Sequence, residues 1–152
     1  MSRLQISDDP ARLDIGLIHR FLSQQTAWAK DIPRATVERA LAHSLCLGGY
    51  LDGSQVAFAR ITTDRATFAY LADVFVLPAQ RGKGYSKQLM AAVLAYPDLQ
   101  GLRRFMLATS DAHGLYAQYG FAPPARPETL MERYFPAIYQ DQATATASGK
   151  AE

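Results

Sequence analysis

Cysteine is almost missing from this chain. Cys46 stands alone among 152 residues, so neither an internal disulfide nor a paired-thiol metal or redox motif can form. Set in Leu45-Cys46-Leu47, it reads as a core side chain rather than a nucleophile. Histidine is scarce too, and His19, His43 and His113 have no spaced acidic or thiol partners, so no metal is expected. Charge nearly cancels: 16 Lys and Arg against 14 Asp and Glu leave +2, too little to argue for nucleic acid as a partner. No stretch approaches the ~18 uninterrupted apolar residues of a membrane span. The opening residues 1–7 also lack an apolar run of signal-peptide length. These absences predict a cytoplasmic protein with no membrane partner.

What is present suits one domain. With 49% hydrophobic and 20% charged residues, the chain can bury one sizeable core and is too short for two ordinary ones. Residues 1–135 are read as that domain. From Pro136 the composition turns small and polar, and 136–152 is expected to be a mobile tail.

Periodicity gives an alternating order of elements. A short strand over 3–7 precedes a helix entry at Asp8-Asp9-Pro10 and a helix to about residue 24, with Leu13, Leu17, Ile18, Phe21 and Leu22 on one face. A second helix spans 33–43. Residues 45–51 and 55–63 read as two strands around an Asp52-Gly53 hairpin turn. The longest apolar run, 67–77, is predicted to be a central strand buried on both faces and ended by Pro78. A helix over 86–96, a strand over 102–109, a helix over 111–119 capped by Gly120, and a last strand over 129–135 complete the order β-α-α-β-β-β-α-β-α-β. This predicts an α/β (α+β) fold: a strongly twisted, mixed but mostly antiparallel sheet flanked by helices, splayed between the central strand and the next.

The densest chemical signal lies where the central strand meets its helix. Val74-Phe75-Val76-Leu77-Pro78-Ala79-Gln80-Arg81-Gly82-Lys83-Gly84-Tyr85-Ser86 is a strand, a stop and a basic glycine loop opening a helix. Gly82 and Gly84 let consecutive N–H groups converge on one oxyanion cluster, and the helix N-terminus adds its positive dipole end. Arg81, Lys83 and Lys87 add positive charge. The expected guest is a phosphate or pyrophosphate. A nucleoside triphosphate loop is excluded because Leu77 stands where its first glycine belongs, and a dinucleotide loop because Lys87 stands where its third belongs.

The remaining pattern, Arg81-x-x-Gly84-x-Ser86, resembles the acyl-CoA loop of the GNAT N-acetyltransferase superfamily, with Ser86 in place of the usual Gly or Ala. Leu115-Tyr116-Ala117-Gln118-Tyr119-Gly120-Phe121 is similar to the helix-plus-glycine segment after the family's fifth strand. Residues 56–60 and 67–76 resemble its central hairpin. The likeness covers roughly 4–134, and residues 68–76 with 111–116 are similar to small bacterial-type members of unassigned substrate.

The resemblance implies a GNAT fold and acetyl-CoA as co-substrate. It places donor binding on the main chain of Val74, Phe75 and Val76 and on Arg81, Gly82, Lys83, Gly84, Tyr85 and Ser86. Tyr116 is the implied acid, beside the sulfur, against the alternative that it packs with Leu115 and Tyr119. Asp73, the only charge in its strand, is either the general base or a structural partner of Arg60, Arg103 or Arg104. Asp111 reads as a helix cap. Phe21, Trp28, Tyr70 and Tyr134 are candidates for an aromatic wall around the acceptor. The expected activity is direct acetyl transfer from acetyl-CoA to a primary amine of a small molecule or peptide; the alternative is a non-catalytic acyl-CoA sensor. A homodimer is compatible with the resemblance, and no sequence patch requires one.

Overall fold

A computed structural model of the chain describes residues 3–142. Five strands, β1 (Gln5–Ser7), β2 (Leu45–Leu51), β3 (Ser54–Thr63), β4 (Phe68–Val76) and β5 (Arg104–Leu107), form one sheet in chain order. The first four are antiparallel and β5 joins β4 in parallel. Two turns set the antiparallel part. Asp52 and Gly53 both take positive φ, 50° and 82°, which gives the two-residue hairpin the twist of its strands. At the next turn the Asp64 carboxylate accepts the N–H groups of Ala66, Thr67 and Phe68 and the Thr67 hydroxyl; those bonds hold it well below the usual carboxylate range.

One irregularity matters more than the turns. Phe58 pairs with Phe75 and Arg60 with Ala72, so three steps along β4 oppose two along β3. The extra residue falls at Asp73 and Val74, and Asp73 adopts a left-handed φ of 56°. This is a β-bulge, which bends its strand and sharpens its twist. On the other side, β4 pairs with β5 only through Leu71 and Leu107 and then continues alone through residues 72–76. The expected splay therefore exists, and it starts at the bulge.

Three helices cover the sheet. α1 (Ile15–Gln25) is capped by Asp14, which accepts the Leu17 N–H at 3.0 Å. α2 (Arg34–Ala42) follows Pro33. Both pack on one face with Ile18, Phe21, Leu22, Val37 and Leu41 against Cys46, Phe58 and Phe75. α3 (Tyr85–Ala95) covers the other, setting Leu89, Met90 and Val93 against Leu45, Leu47, Ala57, Ala59 and Ile61. Strand neighbours thus alternate between two cores, as period-2 side chains must. Cys46 lies in the first of these, and burial pushes its thiol up to about 11, so the core reading holds.

Four expectations need correcting. The entry at Pro10 is a separate 3-10 turn, Pro10–Arg12, and α1 starts afresh after Asp14. β4 is not buried on both faces, since Ala72, Asp73 and Val74 are only partly buried where it leaves β5. α4 (His113–Ala117) is shorter than predicted. No strand forms over 129–135 among the described residues: Leu130, Met131, Tyr134 and Phe135 are all exposed. Those apolar residues come in adjacent pairs, so no single face of a strand would collect them. Of the segment expected to be mobile, residues 136–142 are described. Tyr139 packs on the α1/α2 core and the Gln140 amide donates to the Lys30 carbonyl at 2.8 Å. The remainder, 143–152, lies outside the described residues.

Phe58, fully buried at the bulge, should be costly to truncate: Phe58→Ala is expected to lose about 3–5 kcal/mol in urea unfolding.

Candidate active site

The glycine loop follows directly from the end of β4. After the 3-10 turn Pro78–Gln80, Gly82 and Gly84 take φ of 78° and 83°. A Cβ added at either would meet nothing within 4 Å, so glycine is needed there for the hand of the backbone rather than for room. Gly84 caps α3 and supplies no side-chain acceptor, so the positive end of the helix dipole adjoins the loop. The loop is braced by its own cations. Arg81 Nε donates to the Val76 carbonyl at 3.0 Å and Lys83 Nζ to Gln80 Oε1 at 3.1 Å.

A cavity of about 450 Å³ opens beside this loop. Its wall contains Val74, Phe75 and Val76 from β4, Arg81, Gly82, Gly84, Tyr85 and Ser86 from the loop, and Tyr116 from α4. Lys83 is the one expected donor-binding residue outside it, although its Nζ bonds to Gln80 in the wall. Gln80, Ala112 and Leu115, from the motif segments, also line it without having been expected as site residues, and so does Gln25, which no motif marked. Phe21 belongs here as well, stacked on Phe75 with ring centroids 4.0 Å apart. It is therefore core and cavity wall on the loop side, not part of the aromatic wall proposed with the other three residues.

A second cavity, of about 590 Å³, occupies the splay between β4 and β5. Trp28, Tyr70 and Tyr134 line it, with Asp73, Thr109, Ser110 and Asp111. The two cavities share Trp28, Val74, Ala112 and Tyr116, so they meet at those four side chains. Tyr116 is half-buried and packs edge-on to Phe121 at 6.1 Å. Burial, and then the charge of Asp111, hold its phenol above the ordinary tyrosine value, so it keeps its proton at neutral pH. Asp111 is not the helix cap the sequence suggested. The Thr109 hydroxyl accepts the Ala112 N–H at 3.0 Å instead, and Asp111 is left exposed at the cavity wall.

Asp73 is held from two sides. Its Oδ2 accepts Arg60 Nε at 2.8 Å and its Oδ1 accepts the Trp28 indole N–H at 2.8 Å, with only 10% of the Asp73 side chain exposed. Arg60 is further tied to Ser44 and Thr62. The Thr26 hydroxyl fixes the loop bearing Trp28, since it donates to Leu22 O at 2.6 Å and accepts the Ala29 N–H at 3.1 Å. The Arg60 partnership is thus present, while Arg103 and Arg104 lie elsewhere on the surface. Sequence reasoning missed the Trp28–Asp73 bond because the partners are 45 residues apart.

The Acetyltransferase (GNAT) family model matches residues 16–121, which include β2 to β5, the glycine loop and Tyr116. The chain belongs to the GNAT acetyltransferase family. A solved structure from Xanthomonas campestris pv. campestris, described as "a putative acetyltransferase belonging to the gnat family", is 69% identical, with a TM-score of 0.90 over 91% of this chain and 98% of that one. A Gibberella zeae protein named "Putative acetyltransferase" is 33% identical over 135 residues, 74% of this chain and 75% of the relative. A Clostridium acetobutylicum protein, solved with acetyl-CoA, shares the fold at 16% identity and a TM-score of 0.62, over 88% of this chain and 96% of that one. As a GNAT domain, the chain has its mixed five-stranded sheet and glycine loop where the resemblance implied. Among the described residues there is no group of three or more His, Cys, Asp or Glu placed to hold a metal ion, and no helix long and apolar enough to cross a membrane.

Replacing Asp73 by Asn removes the charge facing Arg60 while keeping size and tolerance of positive φ. The expected loss is about 2 kcal/mol of unfolding free energy, accompanied by a shift in the emission of Trp28, the only tryptophan in the chain.

Proposed function

We propose that this GNAT domain is an N-acetyltransferase that uses acetyl-CoA to acetylate a primary amine of a small molecule or peptide directly, without an acyl-enzyme intermediate. One observation carries the reading: a loop-side cavity and a splay-side cavity that meet at Tyr116. A non-catalytic acyl-CoA sensor has no use for the second cavity. When bound, acetyl-CoA supplies the activated acetyl group as a thioester. Gly82, Gly84 and the first turn of α3 would hold its pyrophosphate through backbone N–H groups, assisted by Arg81. Lys83, outside the cavity wall, would act only by its charge. Along residues 72–76 the edge of β4 facing the splay has no strand partner among the described residues, so backbone groups there, apart from the Val76 carbonyl that Arg81 holds, would be open to the amides of the pantetheine arm. Backbone near Val76 would polarise the thioester carbonyl.

The chemistry then needs one C–N bond formed, one C–S bond broken and two protons moved. Tyr116, protonated at neutral pH, would give its proton to the departing sulfur. Asp73 is the proposed acceptor of the amine's proton: a carboxylate offers about four lone-pair sites, of which Arg60 and Trp28 occupy two. Normal turnover in Asp73→Asn, measured where that variant is folded, would exclude this role. The proposal also puts the protein in the cytoplasm, where thioester donors are held.

Titration calorimetry with acetyl-CoA, free CoA and ATP tests the donor. The expected result is binding of both CoA forms and none of ATP. Tyr116→Phe should bind acetyl-CoA within about twofold of the parent while losing on the order of 100-fold in kcat by thiol release. Failure of both CoA forms to bind would overturn the proposal, and a Tyr116→Phe variant with full turnover would remove Tyr116 as the acid.

A homodimer belongs to the same proposal. Leu130, Met131, Tyr134, Phe135 and Ile138 are all exposed within one stretch, and Met131 is 97% exposed. The stretch complements itself in charge. Antiparallel pairing of two copies about residues 132 and 133 sets Glu132 against the partner's Arg133 and covers the flanking apolar side chains in both. Sedimentation should show a dimer that Met131→Asp converts to monomer; a monomeric parent protein would refute it.

A further inference from the structure

We infer that the acceptor is an amine carrying no anionic group near its reacting nitrogen, such as an arylalkylamine, a diamine or an unphosphorylated amino sugar, rather than an amino acid or an amino sugar phosphate. The inference rests on the acetyl-transfer reading above and concerns the splay-side cavity. Among the described residues no Lys, Arg or His lines that cavity; its charged wall residues are Asp73 and Asp111, and its large surfaces are Trp28, Tyr70 and Tyr134. The nearby cation, Arg60, is outside the wall and already committed to Asp73, Ser44 and Thr62. Asp111, by contrast, has no ion-pair partner among the described residues.

Consider a substrate whose amine must reach the junction at Trp28, Val74, Ala112 and Tyr116. If a carboxylate sits on the adjacent carbon, it enters the same space. It then loses water, finds no cation to receive it and faces the negative charge of Asp111. A bare ammonium meets the opposite conditions. Asp111 attracts it, and the faces of Trp28, Tyr70 and Tyr134 suit both a cation and an apolar or aromatic body. Positive charge sits instead at the other cavity, with Arg81 in its wall and Lys83 and Lys87 around the same loop, where the donor's phosphates belong. The two cavities thus sort charge: anions to the glycine loop, cations to the splay.

The test uses pairs of acceptors that differ only in the anion: phenethylamine and phenylalanine, cadaverine and lysine, glucosamine and glucosamine 6-phosphate. With acetyl-CoA saturating, kcat/KM from thiol release should favour the first member of each pair by about 30-fold or more. Equal rates, or a preference for the second members, would overturn the inference. Asp111→Lys places a cation at the cavity wall and should narrow or reverse the preference; an unchanged ratio would likewise count against it. If no acceptor turns over, the same pairs titrated into the protein, with and without CoA and followed by Trp28 emission, decide the matter by affinity. Tighter binding of the anion-free members then supports the inference even though the acetyl-transfer reading has failed, and equal binding of both members refutes it.

Discussion

The bulge at Asp73 is the constraint on which the site depends. One extra residue in β4, held at a φ that few side chains adopt, bends the strand away from β5 after Leu71. That parting creates the splay and leaves a backbone edge open. It also lets β4 end at the place where the glycine loop can turn back, with Arg81 anchored on the Val76 carbonyl. A left-handed residue that is not glycine must be over-determined by its surroundings. Here Arg60 reaches across from β3 and Trp28 from the loop after α1, so the bulge is clamped by one neighbour in the sheet and one outside it.

The clamp explains an arrangement that is otherwise puzzling. A half-exposed tryptophan and a nearly buried ion pair are each unfavourable taken alone. Together they solve a common problem. The carboxylate gains two donors, the guanidinium gains a counter-charge plus two hydroxyls, and the indole N–H is satisfied while its ring faces the cavity. The core under α1 and α2 keeps this apparatus in register, because Phe58 and Phe75 pair across the bulged strands and pack beneath α1, whose C-cap Thr26 fixes the loop that carries Trp28.

Most of the architecture was legible from local signals. Asp52-Gly53 marked the hairpin, the periodic apolar faces marked α1 to α3, and the paired glycines marked the turn that opens α3, since each of these depends on residues close in sequence. The misreadings share the opposite property. Residues 129–135 have the composition of a strand, but a strand exists only where an edge receives it. Asp111 stands where a cap could stand, yet Thr109 reaches the N–H instead. Asp73 was conspicuous as a lone charge, while its left-handed backbone and its bond to Trp28 depend on a register between strands that no local pattern encodes. The shared wall at Trp28, Val74, Ala112 and Tyr116 is likewise assembled from four separate segments.

The open edge of β4 has a consequence for the molecule's own durability. A sheet that stops pairing at Leu71 leaves a stretch of central strand whose amides are protected by structure on one side only, and such segments open at low free-energy cost. A ligand that bonds to that edge serves as a substitute strand, completing the sheet as it binds. On the acetyl-transfer proposal, folding and loading would be linked by mass action: donor at a hundred times its dissociation constant would add about 2.7 kcal/mol to the native state. The protein would then be most resistant to unfolding and proteolysis when that donor is plentiful, so its lifetime would follow the donor's supply.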